Sequence, residues 1–111
     1  MDRERALTEV GRCVLQDRNA SYGTPEDNFS DIAARWNIYL KRRGLLAAPL
    51  TKGDVAAMMI DVKLARMGAS PNKLDNWIDA AGYAVCGAEV VSEPGKEFLA
   101  ELDAVLNEGK K

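Results

Sequence analysis

Residues 50–86, LTKGDVAAMMIDVKLARMGASPNKLDNWIDAAGYAVC, decide how this chain is read. The stretch predicts two helices joined by Gly68-Ala69-Ser70-Pro71-Asn72. Asp54 and Asp61 are seven residues apart, which puts them on one face of the first helix, two turns from each other. Asp75 and Asp79 are four apart on the second, in line with Gly82 and Cys86. Lys63, Arg66 and Lys73 cluster towards the junction. A helix hairpin that only builds core does not need this many charges. The excess points to a phosphate-bearing or metal-assisted ligand, and does not by itself separate binding from hydrolysis.

Each acid also has a structural reading. Thr51 followed by Asp54 is a capping-box pattern, which would explain Asp54 as a helix start. Around Asp61, the residues Val55, Met58, Met59, Ile60, Val62, Leu64 and Ala65 make the helix apolar on most sides. Such a helix is expected to be central. Asp61 is therefore expected to be buried, and paired, hydrogen-bonded or metal-bound, because burying an isolated charge is costly.

Upstream, Ala6, Leu7, Val10, Cys13 and Val14 recur at helical spacing and predict a helix over about Asp2–Arg18, closed by a turn at Tyr22-Gly23. Thr24, Pro25 and Asp27 form a helix-start pattern. The stripe Phe29, Ile32, Ala33, Trp36 and Leu40 continues that helix to the basic triplet Lys41-Arg42-Arg43 and Gly44. The triplet suits a helix C-terminus, and Trp36 suits a core. Gly68 should end the third helix, with Ser70 or Asn72 capping the fourth, which runs to about Val91. The fourth is rich in small residues (Ala80, Ala81, Gly82, Ala84, Gly87, Ala88) that admit a close helix neighbour, within the subunit or across a dimer. After Ser92-Glu93-Pro94-Gly95, a last amphipathic helix carries Phe98, Leu99, Leu102, Val105 and Leu106. No strand pattern, repeat or internal boundary is visible. The expectation is one all-α domain over 1–111, a small bundle of about five helices completed by oligomerisation.

Composition narrows the function classes. At 111 residues the chain is long enough for one core, and its net charge of −2 argues against general nucleic-acid binding. No apolar run is long enough to span a membrane and no signal-peptide pattern opens the chain, so a cytoplasmic protein with Cys13 and Cys86 as buried free thiols is expected. Histidine is absent, which removes imidazole bases and the usual zinc sites. A metal would be held by carboxylate oxygens, favouring magnesium or manganese.

Two arrangements of the charges follow. In one, Asp54, Asp61, Asp75 and Asp79 cradle magnesium against a diphosphate or triphosphate while Arg18, Lys63, Arg66 and Lys73 neutralise phosphate. Asn76 and Tyr83 stand beside the acids, and Tyr22, in a turn, is placed to stack on a base. Lys63 falls on the side of its helix opposite Asp54 and Asp61, so these residues serve one pocket only with a second subunit's help. In the other arrangement the charges pair internally: Asp61 with Arg66 or Arg18, and Asp75 or Asp79 with Lys73.

The motifs Arg18-Asn19-x-x-Tyr22-Gly23, Asn28-Phe29-x-x-Ile32-Ala33-x-x-Trp36, Leu50-Thr51-x-x-Asp54-Val55, Met58-Met59, Lys63-x-Ala65-Arg66 and Asp75-Asn76-x-x-Asp79-x-x-Gly82-Tyr83 resemble a small phage-encoded family of uncharacterised all-α domains. That family is in turn described as similar to MazG-type nucleotide pyrophosphohydrolases, which are all-α, oligomeric and magnesium-dependent. Those enzymes carry a Glu-x-x-Glu pair and a Glu-x-x-Asp pair on successive helices. Neither is present here, and the nearest equivalents are Asp54 with Asp61 and Asp75 with Asp79. The expectation is therefore a binder of a nucleotide or other phosphate ligand, for example one that sequesters a host nucleotide signal. The alternatives are a MazG-like triphosphate pyrophosphohydrolase and a purely structural protein.

Overall fold

The computed structural model describes residues 1–92 and 103–107, without the side chains of Arg18 and Asn19. Asp2 starts the first helix, α1 (Arg3–Arg12), by accepting a hydrogen bond from the Arg5 N–H at 2.8 Å. The helix does not end at Arg18. It widens through a π turn, Cys13–Asp17, and continues as α2, Arg18–Tyr22. Tyr22, expected in the closing turn, is instead the last helical residue, and the break falls at Gly23 as expected, where a φ of 79° lies in the left-handed region that only glycine adopts cheaply. Arg12 clips the wide turn through Glu9 and Asp17. The Glu9 hydrogen bond foremost, and then the Asp17 charge, raise the guanidinium pKa above its ordinary value.

Thr24 starts α3 (Pro25–Arg42) as expected, its hydroxyl accepting from the Asp27 N–H at 3.2 Å. Gly44, at φ 68°, closes that helix end. Asn37 then clasps the returning connector. Its amide donates to the Leu50 carbonyl at 3.1 Å and accepts from the Leu50 N–H at 2.8 Å, which fixes where the next helix begins.

The next helix, α4 (Lys52–Ala69), opens with a reciprocal capping box between Thr51 and Asp54. It passes through Gly68 and stops at Ser70. The cause is Pro71, because a residue before proline is pushed out of the helical region, and Ser70 sits at φ −140°, ψ 75°. Neither Ser70 nor Asn72 caps α5 (Leu74–Val90). Both belong to a turn in which the Lys73 N–H donates to the Ser70 carbonyl at 3.2 Å. The N-cap is Lys73, which offers no side-chain bond. Trp77 ties this turn down through a 3.0 Å hydrogen bond from its indole N–H to the Pro71 carbonyl.

The largest helix–helix interface joins α4 and α5, with α3 packed across both. The small residues of α5 make this possible inside one subunit. A Cβ on Gly87 would sit 3.0 Å from Ala56 Cβ, and one on Gly82 would sit 3.2 Å from Val14 Cγ1. The core is Val10, Val14, Phe29, Ala33, Val55, Ala56, Cys86 and Val90, with Ile32, Trp36, Met59, Ile78 and Tyr83 against it. Phe29 and Val55 are sealed completely, and the Phe29 and Tyr83 rings pack 6.3 Å apart. Both cysteines are free. Cys86 is buried as expected, but Cys13 is only half-buried, because the π turn brings it to the rim of a recess.

The protein is thus an all-α bundle, with no strand among the described residues. None of the described helices is long and apolar enough to cross a membrane. Residues 103–107 are helical with Val105 and Leu106 exposed, whereas Phe98, Leu99 and Leu102 of the expected last helix lie outside the described residues.

Candidate functional site: a cationic recess joined to an aromatic one

The helical phase of α4 sends Lys63 inward and Asp61 outward. Lys63 is 8% exposed, and its ammonium meets Asp79 Oδ2 across the helix pair at 2.9 Å. The expected partner of Asp79, Lys73, is instead exposed on the turn. Asp61 was expected to be buried and is exposed, with no ion pair to a described side chain. The reason is that α4 carries apolar residues all round, and the face holding Met58, Asp61 and Val62 is the one left towards water. Asp54 is spent on its capping box. Among the described residues, no three carboxylate or thiol groups gather closely enough to hold an ion, so the four aspartates do not form one cradle. Lys63 does lie opposite Asp54 and Asp61, as the spacing implies.

Where α4 hands over to α5, a recess of about 320 Å³ is lined by Lys63, Arg66, Lys73, Asp75, Asn76 and Asp79, together with Ala69 and Ser70. Three cations face two carboxylates there, one of which already neutralises Lys63. The uncapped first turn of α5 opens onto the same space, and its positive dipole end adds to the cationic character. Four of the residues singled out in the sequence as ligand-binding (Lys63, Arg66, Lys73 and Asn76) thus converge in one subunit. A second subunit is not needed to bring them together.

Asp79 also lines a second recess, of about 370 Å³, farther along the same face of α5. Its walls are Cys13, Val14 and Asp17 from the π turn, Ser21 and Tyr22 from α2, and Ile78, Gly82 and Tyr83 from α5. Tyr22 and Tyr83 extend into a third recess, of about 230 Å³, with Asn28, Ile32 and Met59. The three form a row with Asp79 at one junction and the two tyrosines at the other. Sequence reasoning singled out both tyrosines but missed Asp17, Ile78 and Asn28. The motif blocks containing Asn28 and Ile78 were visible, but their placement depends on how α3 and the π turn pack on α5. The Arg18 backbone belongs to α2, and its side chain lies outside the described residues.

With this geometry in hand, the chain matches a family described as a domain of unknown function (DUF6378) over residues 5–91. The chain belongs to that family. Residues 5–91 of the DUF6378 match include every residue of the three recesses described above. The DUF6378 chain is also 36% identical over 91 residues to the Gene 55 protein of Mycobacterium phage D29, covering 82% of this chain and 56% of that protein. To the Gene 55 protein of Mycobacterium phage L5 it is 36% identical over 78 residues, covering 70% and 47% respectively. It therefore spans about half the length of the curated relatives it matches. No solved structure matches. The family is a phage family, as its motifs suggested.

Proposed function

We propose that this domain binds a nucleotide, with phosphate in the Lys63–Arg66–Lys73 recess and base against Tyr22 and Tyr83. The observation that carries the reading is the shared wall. Asp79 borders both the cationic and the aromatic recess, so one ligand with a charged end and a flat apolar end fits across it. Arginine and lysine supply charge-assisted hydrogen bonds to phosphate, and tyrosines supply stacking area with a polar edge. In a phage protein, retention of a host nucleotide signal is the role this chemistry serves best, in the cytoplasm of the infected cell.

Binding is favoured over MazG-like hydrolysis because three cations converge on one recess, while only Asp75 and Asp79 of the four aspartates reach it and Asp79 is engaged by Lys63. The experiment incubates the protein with linear and cyclic nucleotides, with magnesium or with EDTA, then denatures it and analyses what is released. Intact ligand in stoichiometric amount, retained in EDTA and weakened by salt, is the expected result. Monophosphate and pyrophosphate formed only with magnesium would make the protein an enzyme. If nothing is released, a structural role stands instead. The exposed apolar residues of α4 and α5, among them Met58, Leu64, Leu74, Trp77 and Val85, favour a second copy of the chain as partner. Light scattering at micromolar concentration is expected to give a dimer mass or larger.

A further inference from the structure

Asn76 is the unexplained side chain of this molecule. It is 6% exposed, yet its carboxamide makes no hydrogen bond with any described residue. Its backbone N–H is engaged, donating to the Lys73 carbonyl at 3.2 Å. An unpaired buried amide is costly, and the cheap replacement, a leucine of similar size, is not what the chain carries. The amide lines the cationic recess beside Lys63, whose side chain is 10% exposed. It also lies in the first turn of α5, a helix of 17 residues whose N-cap supplies no side-chain bond. A buried donor without a partner, an uncapped helix start and a buried ammonium therefore face one space. All three are groups that a tetrahedral oxyanion satisfies.

We infer that this corner is a subsite for a terminal phosphoryl group, a phosphomonoester rather than a phosphodiester, held by the Asn76 amide, the α5 N-terminus, Lys63, Arg66 and Lys73. The inference rests on the nucleotide reading and narrows it to linear ligands with a free phosphate end. The discrimination follows from counting. A terminal phosphoryl carries nearly two negative charges and three non-bridging oxygens. A diester carries one charge and two such oxygens, which leaves part of this donor set unmatched. Lys63, Arg66 and Lys73 outnumber Asp75 and Asp79, and with the positive end of α5 they leave the site net cationic, so the more highly charged group gains more from it.

The test is calorimetric titration of the full chain with inorganic phosphate, with 5′-AMP and 5′-GMP, and with the matching 3′,5′-cyclic nucleotides. Wild type, Asn76→Leu and the nearly isosteric Asn76→Asp are compared, each with a thermal melt. Linear monophosphates are expected to bind at least about tenfold more tightly than the cyclic forms, the worth of one charge-assisted hydrogen bond. Inorganic phosphate is expected to bind and to compete with them. Asn76→Leu should abolish phosphate binding and raise the melting temperature, a gain that a merely structural asparagine would not give. Asn76→Asp should abolish binding by charge repulsion even if leucine misfolds. Equal or tighter binding of cyclic nucleotides overturns the monoester assignment and leaves the nucleotide reading standing. Phosphate binding without any nucleotide binding leaves the subsite standing and removes the nucleotide reading. Binding unchanged in both Asn76 variants overturns the subsite.

Discussion

The Lys63–Asp79 pair joins a buried cation to a half-exposed anion, and the two single substitutions should therefore behave unequally. Lys63 has a side chain 10% exposed and Asp79 one 42% exposed. Replacing Asp79 by Asn leaves the ammonium buried without its counter-charge, beside Arg66 and Lys73. Breaking a fully buried pair in this way costs about 3–5 kcal/mol. Here water already reaches the carboxylate, so the pair is partly screened and the loss should be nearer about 1–2 kcal/mol. For a chain of this size that lowers the melting temperature by on the order of 5–10 °C. Replacing Lys63 by Met keeps the stem volume, removes the buried charge and leaves Asp79 to solvent. The result should be unchanged or about 1 kcal/mol more stable. Melts and urea titrations in phosphate-free buffer measure both. Adding inorganic phosphate should then restore stability to Asp79→Asn, because an anion replaces the lost carboxylate, and do nothing for Lys63→Met. A stable Asp79→Asn together with a Lys63→Met that loses more than about 3 kcal/mol would refute this account of the pair.

Gly87→Val should cost about 2–3 kcal/mol in urea titration, because even a Cβ meets Ala56 at 3.0 Å and α4 cannot retreat without opening the core. Thr51→Ala, which removes one arm of the capping box, should cost about 1 kcal/mol by the same measurement. Asp61→Asn, at an exposed position, should change stability by less than about 0.5 kcal/mol and leave phosphate titrations as in wild type.

The all-α bundle was legible because its punctuation is local. Thr24-Pro25, Thr51 with Asp54, Gly23 and Gly44 each act on neighbouring backbone, and each does in the structure what its chemistry requires. The stripe Phe29–Ala33–Trp36 was legible because one side of α3 is polar. On α4 the same logic gives helical phase but not which face turns inward. Apolar residues surround that helix, so Asp61 reads as buried until α5 supplies Asp79 to draw Lys63 into the interface. The cationic cluster could be read from the sequence, since Lys63, Arg66 and Lys73 flank one short junction. Asn76 as a buried amide without a partner among the described residues could not be seen, because an asparagine near a helix start ordinarily faces water or caps. Nor could the Asn37 clasp on Leu50, a contact thirteen residues apart that no helical or turn rule anticipates.

The π turn makes chain length itself a structural coordinate. A regular α-helix advances about 100° per residue, so one residue added or removed before Asp17 rotates everything after it by that angle. Val10 and Val14 would stay seated in the core while Ser21 and Tyr22 swung away from the recess they now border. An ordinary substitution changes what a side chain is; a single deletion at Gln16 would change where two of them point, without altering either. The widened turn works as a phase shifter between an anchoring half and a displaying half of one helical run. Relatives that differ here by one residue should therefore differ in what their aromatic recess accepts before they differ in how they fold.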